Sequence, residues 1–403
     1  MLKLIKCLGR KNYIRLNREF PNNFINKRSV FQTKNDGINV PKTLKDVSPQ
    51  TLTNMQKKVG IWLLGCSGMV FGAVALGGVT RLTESGLSMV TWKFMGEKMP
   101  RTQVEWQMEF ERYKQFPEYK LKNKDMSLSE FKFIFAMEYI HRMWGRAIGI
   151  FFTLPAGYFW YKGYFSKQMK VKVLLFGTLI GLQGLMGWYM VKSGLENRFQ
   201  DVNDVPRVSQ YRLASHLALA FILYASFLST SLSHLLPKEK LLSTIQTMSL
   251  KRSAHIACGL VFLTAISGAF VAGLDAGLVY NSFPKMGDDW VPKDILALKP
   301  IVKNFTENPT TVQFNHRILG ITTFGLISYL WLVARTKKLP KRTKLAINTI
   351  SAMACIQVSL GITTLLTYVP VTWAAAHQSG SLLLLSFAVW LMKELKYLKY
   401  VPK

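Results

Sequence analysis

Apolar residues run along this chain in blocks of about twenty. Eight blocks stand out, at about 60–79, 138–160, 171–191, 211–233, 253–274, 313–334, 345–368 and 371–392. Twenty residues of α-helix rise about 30 Å, the thickness of a bilayer's hydrocarbon core. A single soluble core has no use for so many all-apolar helices. The pattern therefore predicts an all-α membrane protein with eight transmembrane helices.

The polar positions that break these blocks repeat. EYIHRMWG (138–145) opens the second block and QFNHRILG (313–320) the sixth, 175 residues later. At nearly the same offset, Gln183 with Gly187 matches Gln357 with Gly361. Glu84-Ser85-Gly86-Leu87 resembles Asp275-Ala276-Gly277-Leu278, each just after the first helix of its half. The chain reads as two tandem four-helix bundles, 57–233 and 253–392. Because four is even, both halves share one topology, related by a pseudo-two-fold axis along the membrane normal.

Composition agrees, with 49% hydrophobic and 18% charged residues against roughly 25% charged in soluble domains. The net charge of +30 suggests a nucleic-acid partner until its distribution is read. Loops 162–172, 234–252 and 335–344 and the tail 393–403 hold eighteen Lys and Arg against Glu239 and Glu394, whereas 193–210 and 274–312 hold six against eight acids. This is the positive-inside pattern, which puts both termini on the negatively polarised side of the bilayer and excludes nucleic acid as partner. Residues 1–35 carry nine Lys and Arg against Glu19 alone. Such an acid-poor leader without a long apolar core predicts a mitochondrial transit peptide. The basic loop 234–252, a linker 36–56 and the tail 393–403 then lie in the matrix. Cys7 falls in the leader and Cys66, Cys258 and Cys355 in apolar helices, without zinc or disulfide spacing.

The six histidines sort by the repeat. His141 and His216 stand at the same end of two helices in the first half, and His316 and His377 do so in the second. His234 and His255 have no repeat counterpart and read as structural. Two imidazoles facing each other suit an iron porphyrin with two axial ligands, and Arg142 and Arg317 beside them could fork onto its propionates. Zinc fits less well, since no Cys or acid cluster completes a tetrahedral site.

The halves differ at one reactive position. Glu138 shares a helix face with His141, while its counterpart Gln313 cannot ionise. Arg81, counted with the cofactor-binding arginines, has no basic counterpart near Gly273. An acid inside a membrane is costly and reads as functional by default, so Glu138 is the candidate catalytic proton carrier.

GGVTRLTESGLSMVTW (77–92), EYIHRMWGRAIG (138–149), NSFPKMGDDWVP (281–292), QFNHRILG (313–320) and AAAHQSGSLLLL (374–385) resemble the motifs of haem A synthases. The resemblance covers essentially all of 57–392. It implies a multi-pass protein of the mitochondrial inner membrane that oxidises a methyl group of haem O to the formyl group of haem A, for cytochrome c oxidase assembly. It also implies two successive hydroxylations. The family's ligands fall on His141, His216, His316 and His377, and its essential acid falls on Glu138. A haem b is implied in the second half and the substrate haem in the first. The implied partners are a haem O synthase, an electron donor such as a ferredoxin, oxidase assembly factors and the lipid bilayer, and homo-oligomers are compatible with the family. The cysteine pair that bacterial members often carry in the first outer loop is absent from 80–132. Two other classes compete: a di-haem electron-transfer subunit, which needs no Glu138, and a transporter using His and Glu as a proton relay. Transporters tend to break helices at mid-membrane, whereas these residues lie at helix ends.

Overall fold

A computed structural model describes residues 49–196, 206–237, 241–243, 245–396 and 398–400. The predicted leader 1–35 and most of the linker lie outside them. Among the described residues eleven α-helices follow in order: α1 (Pro49–Leu82), α2 (Gln103–Lys114), α3 (Pro117–Leu121), α4 (Leu128–Tyr161), α5 (Lys167–Gly194), α6 (Gln210–Leu235), α7 (Ile245–Gly273), α8 (Asn304–Glu307), α9 (Pro309–Arg335), α10 (Lys341–Leu366) and α11 (Val371–Leu395). The one strand pairing among the described residues is Leu241–Ser243, parallel to Leu398–Tyr400.

Helix boundaries follow local chemistry. Thr102 with Glu105 caps α2, and Ser127 with Glu130 caps α4, each a reciprocal capping box. Asn308 caps α9 and Pro309 takes its first position, where a missing N–H costs nothing. α1 begins at Pro49, inside the segment read as a linker, and the loop 80–132 contains α2, α3 and the start of α4.

Seven described helices are long and apolar enough to cross a bilayer: α1, α5, α6, α7, α9, α10 and α11. The second predicted block differs. It is the latter part of α4, a 34-residue helix whose apolar stretch is shortened by Glu138, Arg142 and Arg146 and carries Pro155 inside it.

Helix packing repeats between the halves. α1 packs on α4 and α6, and α5 on α4 and α6; likewise α7 packs on α9 and α11, and α10 on α9 and α11. α6 with α7, α1 with α11, and α6 with α11 join the two sets. One continuous core runs through the bundle, from Trp62, Leu63 and Phe152 through Phe221 and Phe227 to Ile347, Leu382 and Leu385. A smaller aromatic core, built from Phe110, Tyr113, Phe131 and Phe135, anchors the first long loop on the start of α4.

Candidate functional site

A cavity of about 1510 Å³ opens inside the bundle. Pockets for drug-sized ligands usually span roughly 300–1,000 Å³, so this one has room for more than one such ligand. His141, His216, His316 and His377 all line it, as do Glu138, Arg81, Arg142 and Arg317. His234 and His255 do not; His255 turns its Nδ1 to the Lys251 carbonyl in its own helix, 2.7 Å away.

Each of the four imidazoles lies against a glycine of a neighbouring helix. A Cβ added at Gly77, Gly187, Gly268 or Gly361 would stand 2.8, 3.4, 3.3 or 2.8 Å from Cε1 of His141, His216, His316 or His377. The pairing runs α1 to α4 and α5 to α6 in the first half, α7 to α9 and α10 to α11 in the second. The glutamines one turn before two of these glycines bind the backbone beside the rings: Gln183 Nε2 donates to the His216 carbonyl at 3.1 Å and Gln357 Nε2 to the His377 carbonyl at 2.7 Å. The repeated Gln and Gly thus seat the histidine of the next helix. Gly361→Ala is expected to displace the His377 ring and cost about 1–3 kcal/mol, as overpacking does. A thermal melt and the absorption spectrum of the purified variant would read it.

The halves part at the second ring nitrogen. The Ser267 hydroxyl donates to the Thr264 carbonyl at 2.7 Å, so it accepts from His316 Nδ1–H, also at 2.7 Å, and leaves Nε2 its lone pair. Gln357 Nε2 lies 3.1 Å from His377 Nδ1. His141 Nδ1 and His216 Nδ1 are buried and without a hydrogen-bond partner. The His316 and His377 rings stand nearly perpendicular, centres 6.4 Å apart. Metal-to-imidazole-nitrogen bonds run roughly 2.0–2.1 Å, which puts two rings on opposite sides of one iron with centres roughly 6 Å apart. The second pair therefore fits a bis-imidazole haem, and the orphaned nitrogens and glycine cradles of the first pair fit a further ligand.

Space differs too. Gly149, Gly181 and Gly184 line the cavity with nothing within 4 Å of an added Cβ. Their repeat counterparts are Phe324, Cys355 and Val358. The first half leaves more room between α4 and α5.

Glu138 is buried and fully engaged. Ser88 Oγ and Met89 N donate to its Oε2 at 2.6 and 2.8 Å, and Arg142 Nη2 donates to its Oε1 at 2.7 Å. The Arg142 guanidinium also donates to the carbonyls of Met89 and Thr91, both at 2.8 Å, and lies 4.6 Å from the centre of the Trp92 ring. The second half repeats the latch. Gln313 Nε2 donates to the Ala276 and Tyr280 carbonyls, and Arg317 to those of Tyr280 and Lys285 and to Gln313 Oε1. In each half the Glu or Gln and its Arg hold down the loop that follows the half's first helix. That latch was not legible in sequence, because its partners are mostly backbone groups of a loop 32–53 residues away.

Arg81, which lines the cavity and like Arg142 and Arg317 keeps a buried Nε without a protein partner, also joins the two halves. Its Nη2 donates to the Ala272 carbonyl and to Asp275 Oδ1, both at 2.7 Å, tying the end of α1 to the end of α7. Glu84 and Asp275, matched in sequence, both adopt the left-handed conformation, with φ of 53° and 52°. The motif match is a match of turns, and Arg81 bridges from one turn to the other.

Comparison with known proteins identifies the chain's relatives. The cytochrome oxidase assembly protein family COX15-CtaA matches residues 60–389. The chain is 61% identical over 349 residues to the haem A synthase COX15 of Homo sapiens, covering 86% of this chain and 84% of that protein. It is 48% identical over 344 residues to the haem A synthase COX15 of Arabidopsis thaliana, covering 85% and 75%. It is 38% identical over 442 residues to a haem A synthase–mitochondrial ferredoxin fusion protein of Schizosaccharomyces pombe, covering 97% and 72%.

Proposed function

Because the chain belongs to the COX15-CtaA cytochrome oxidase assembly protein family, we propose that it is a mitochondrial, multi-pass haem A synthase. It oxidises haem O to haem A for cytochrome oxidase. The methyl carbon passes through two hydroxylations, and the resulting diol loses water to the aldehyde.

The second half, 253–392, holds a haem b between His316 and His377, and the first, 57–233, takes the substrate haem between His141 and His216. One observation carries this division. Ser267 accepts from His316 Nδ1–H and so leaves Nε2 free to bind iron, while neither Nδ1 atom of the first pair has a protein partner. Outer-shell hydrogen bonds fix a ligand's tautomer and orientation and tighten metal binding, which suits a resident cofactor. Unheld rings beside the open space at Gly149, Gly181 and Gly184 suit a ligand that must enter and leave. A bound haem b supplies one-electron redox chemistry. The protein's own groups do the rest: the glycines set the ring positions, the apolar walls enclose the macrocycle, and Glu138 holds or releases a proton at Oε1 or Oε2 beside the substrate. Arg142 and Arg317 position the loops over the cavity, each keeping an Nε without a protein partner that can reach a propionate.

The matching helix contacts support a pseudo-two-fold bundle with α4 as an eighth span, polar at one end because it carries the site. Loop charge supports a reading in which the long-loop side faces away from the matrix and the termini lie in it, within the inner membrane. A transit peptide at 1–35 and a ferredoxin-type electron donor complete the reading, the latter supported by the ferredoxin joined to the Schizosaccharomyces pombe relative.

Cells that make haem O but lack haem A provide the test. Expressing this chain there is expected to produce haem A among the extracted haems. Unchanged haem O with no haem A would refute the reading.

A further inference from the structure

One buried acid has no place in the reaction as described. Glu118 lies on α3, in the first long loop, 4% exposed. The hydroxyl of Tyr113, itself fully buried, donates to Glu118 Oε2 at 2.9 Å, and Asn123 Nδ2 donates to the Tyr113 hydroxyl oxygen at 2.8 Å. Tyr119 and Phe131 pack on the Tyr113 ring with centres 5.7 and 5.3 Å away, so the pair stands in a dry aromatic setting.

Its position is what matters. Glu118 and Glu138 line the same cavity, and so do Glu84 and Lys122. Glu84 and Lys122 form a partly exposed ion pair at 2.5 Å. One cavity is thus lined by the buried Glu138 and Glu118 and by the partly exposed Glu84–Lys122 pair. The groups that face Glu118 are Tyr113 from α2, Lys122 just after α3, Glu84 from the turn after α1 and Glu138 from α4. Burial pushes its carboxyl up to about 8; the Tyr113 hydrogen bond and Lys122 pull it down, and Glu138 and Glu84 push it up. A carboxyl near neutrality gives and takes protons readily.

We propose that Glu118 carries protons between the aqueous surface at the Glu84–Lys122 pair and Glu138. The inference rests on the haem-oxidising reading. Each hydroxylation by dioxygen balances as R–CH3 + O2 + 2 e⁻ + 2 H⁺ → R–CH2OH + H2O, with both electrons from a one-electron reductant. The two protons must reach a buried site. Glu118 gives its carboxyl proton to Glu138 through water in the cavity and regains one at the surface. A merely structural acid would not need to ionise, and Gln in its place would still accept the Tyr113 hydrogen bond.

Glu118→Gln is therefore the informative variant, with Tyr113→Phe beside it. Two readouts apply. In the haem-free protein, infrared difference spectra between pH 6 and pH 10 are expected to show loss of a protonated-carboxyl C=O band that Glu118→Gln lacks. In the working enzyme, haem A formation is expected to fall as pH rises through that same midpoint. Glu118→Gln is expected to lose about 10²-fold in rate, the low end for a general acid or base, and to lose this pH limb. Tyr113→Phe removes a hydrogen bond that favours the ionised form, so both midpoints move to higher pH. It decides the matter should Glu118→Gln not accumulate. A limb unchanged in either variant, or a full rate in Glu118→Gln, overturns the proposal. A wild-type chain that forms no haem A overturns the parent reading, and is told apart from failure of the relay by that absence.

Discussion

Glu138→Gln is expected to cut haem A formation by about 10²- to 10⁴-fold, the range that a positioned acid or base contributes, while the chain stays folded. The second half already shows that Gln fits such a site, since Gln313 holds the equivalent loop with its Arg317. In the variant, the amide oxygen can still accept from Met89 N and Ser88 Oγ, and Arg142 keeps the Met89 and Thr91 carbonyls. What is lost is one charge-assisted bond to Arg142, worth roughly 1.5–3 kcal/mol. Glu138→Ala is a different lesion. It leaves Arg142, which is 8% exposed, without its anion and the loop without its latch, and breaking a buried pair costs about 3–5 kcal/mol. A graded pair of results, activity lost in both and stability lost mainly in Ala, separates chemistry from packing. A di-haem electron carrier would keep its function in Glu138→Gln.

The second large effect divides the histidines. His316→Ala and His377→Ala are each expected to strip the resident haem from the purified protein. His141→Ala and His216→Ala are expected to leave that haem in place and abolish conversion. Losing only an outer-shell partner costs about 10- to 100-fold in metal affinity, and losing the ligand itself costs more. The 6.4 Å separation of the second pair and the Ser267 hydrogen bond to His316 Nδ1 are why the prediction is asymmetric. Extracted haems and the bands of six-coordinate haem, measured on all four variants, check it. Equal loss of pigment in all four would remove the division of labour between the halves.

How much of this was legible in the sequence follows from what sequence periodicity records. Twenty-residue apolar blocks mark helices, and the 175-residue offset marked the repeated packing of α4 and α9. The pairing of Gln183 with Gly187 and of Gln357 with Gly361 was visible as a pattern, but its meaning was not. A glycine that seats the histidine of another helix is a fact of helix crossing. The second block shows its polar residues in sequence, but not that Glu138 and Arg142 fasten the long loop. The arginines were read as propionate forks from their place beside the histidines. Their hydrogen bonds go first to loop carbonyls, which no residue spacing announces. Arg81 could be matched only to an absence near Gly273; the structure instead ties it across the halves to Ala272 and Asp275. Ser267 had no signal at all, since its counterpart in the first half is Leu76.

The central claim is that one half transforms a haem and the other half holds one, with Glu138 as the reactive difference. Extraction of the haems from purified Glu138→Gln, expressed where haem O is made, tests it most directly. The account predicts haem B with haem O and no haem A. Haem A at the wild-type ratio would contradict it.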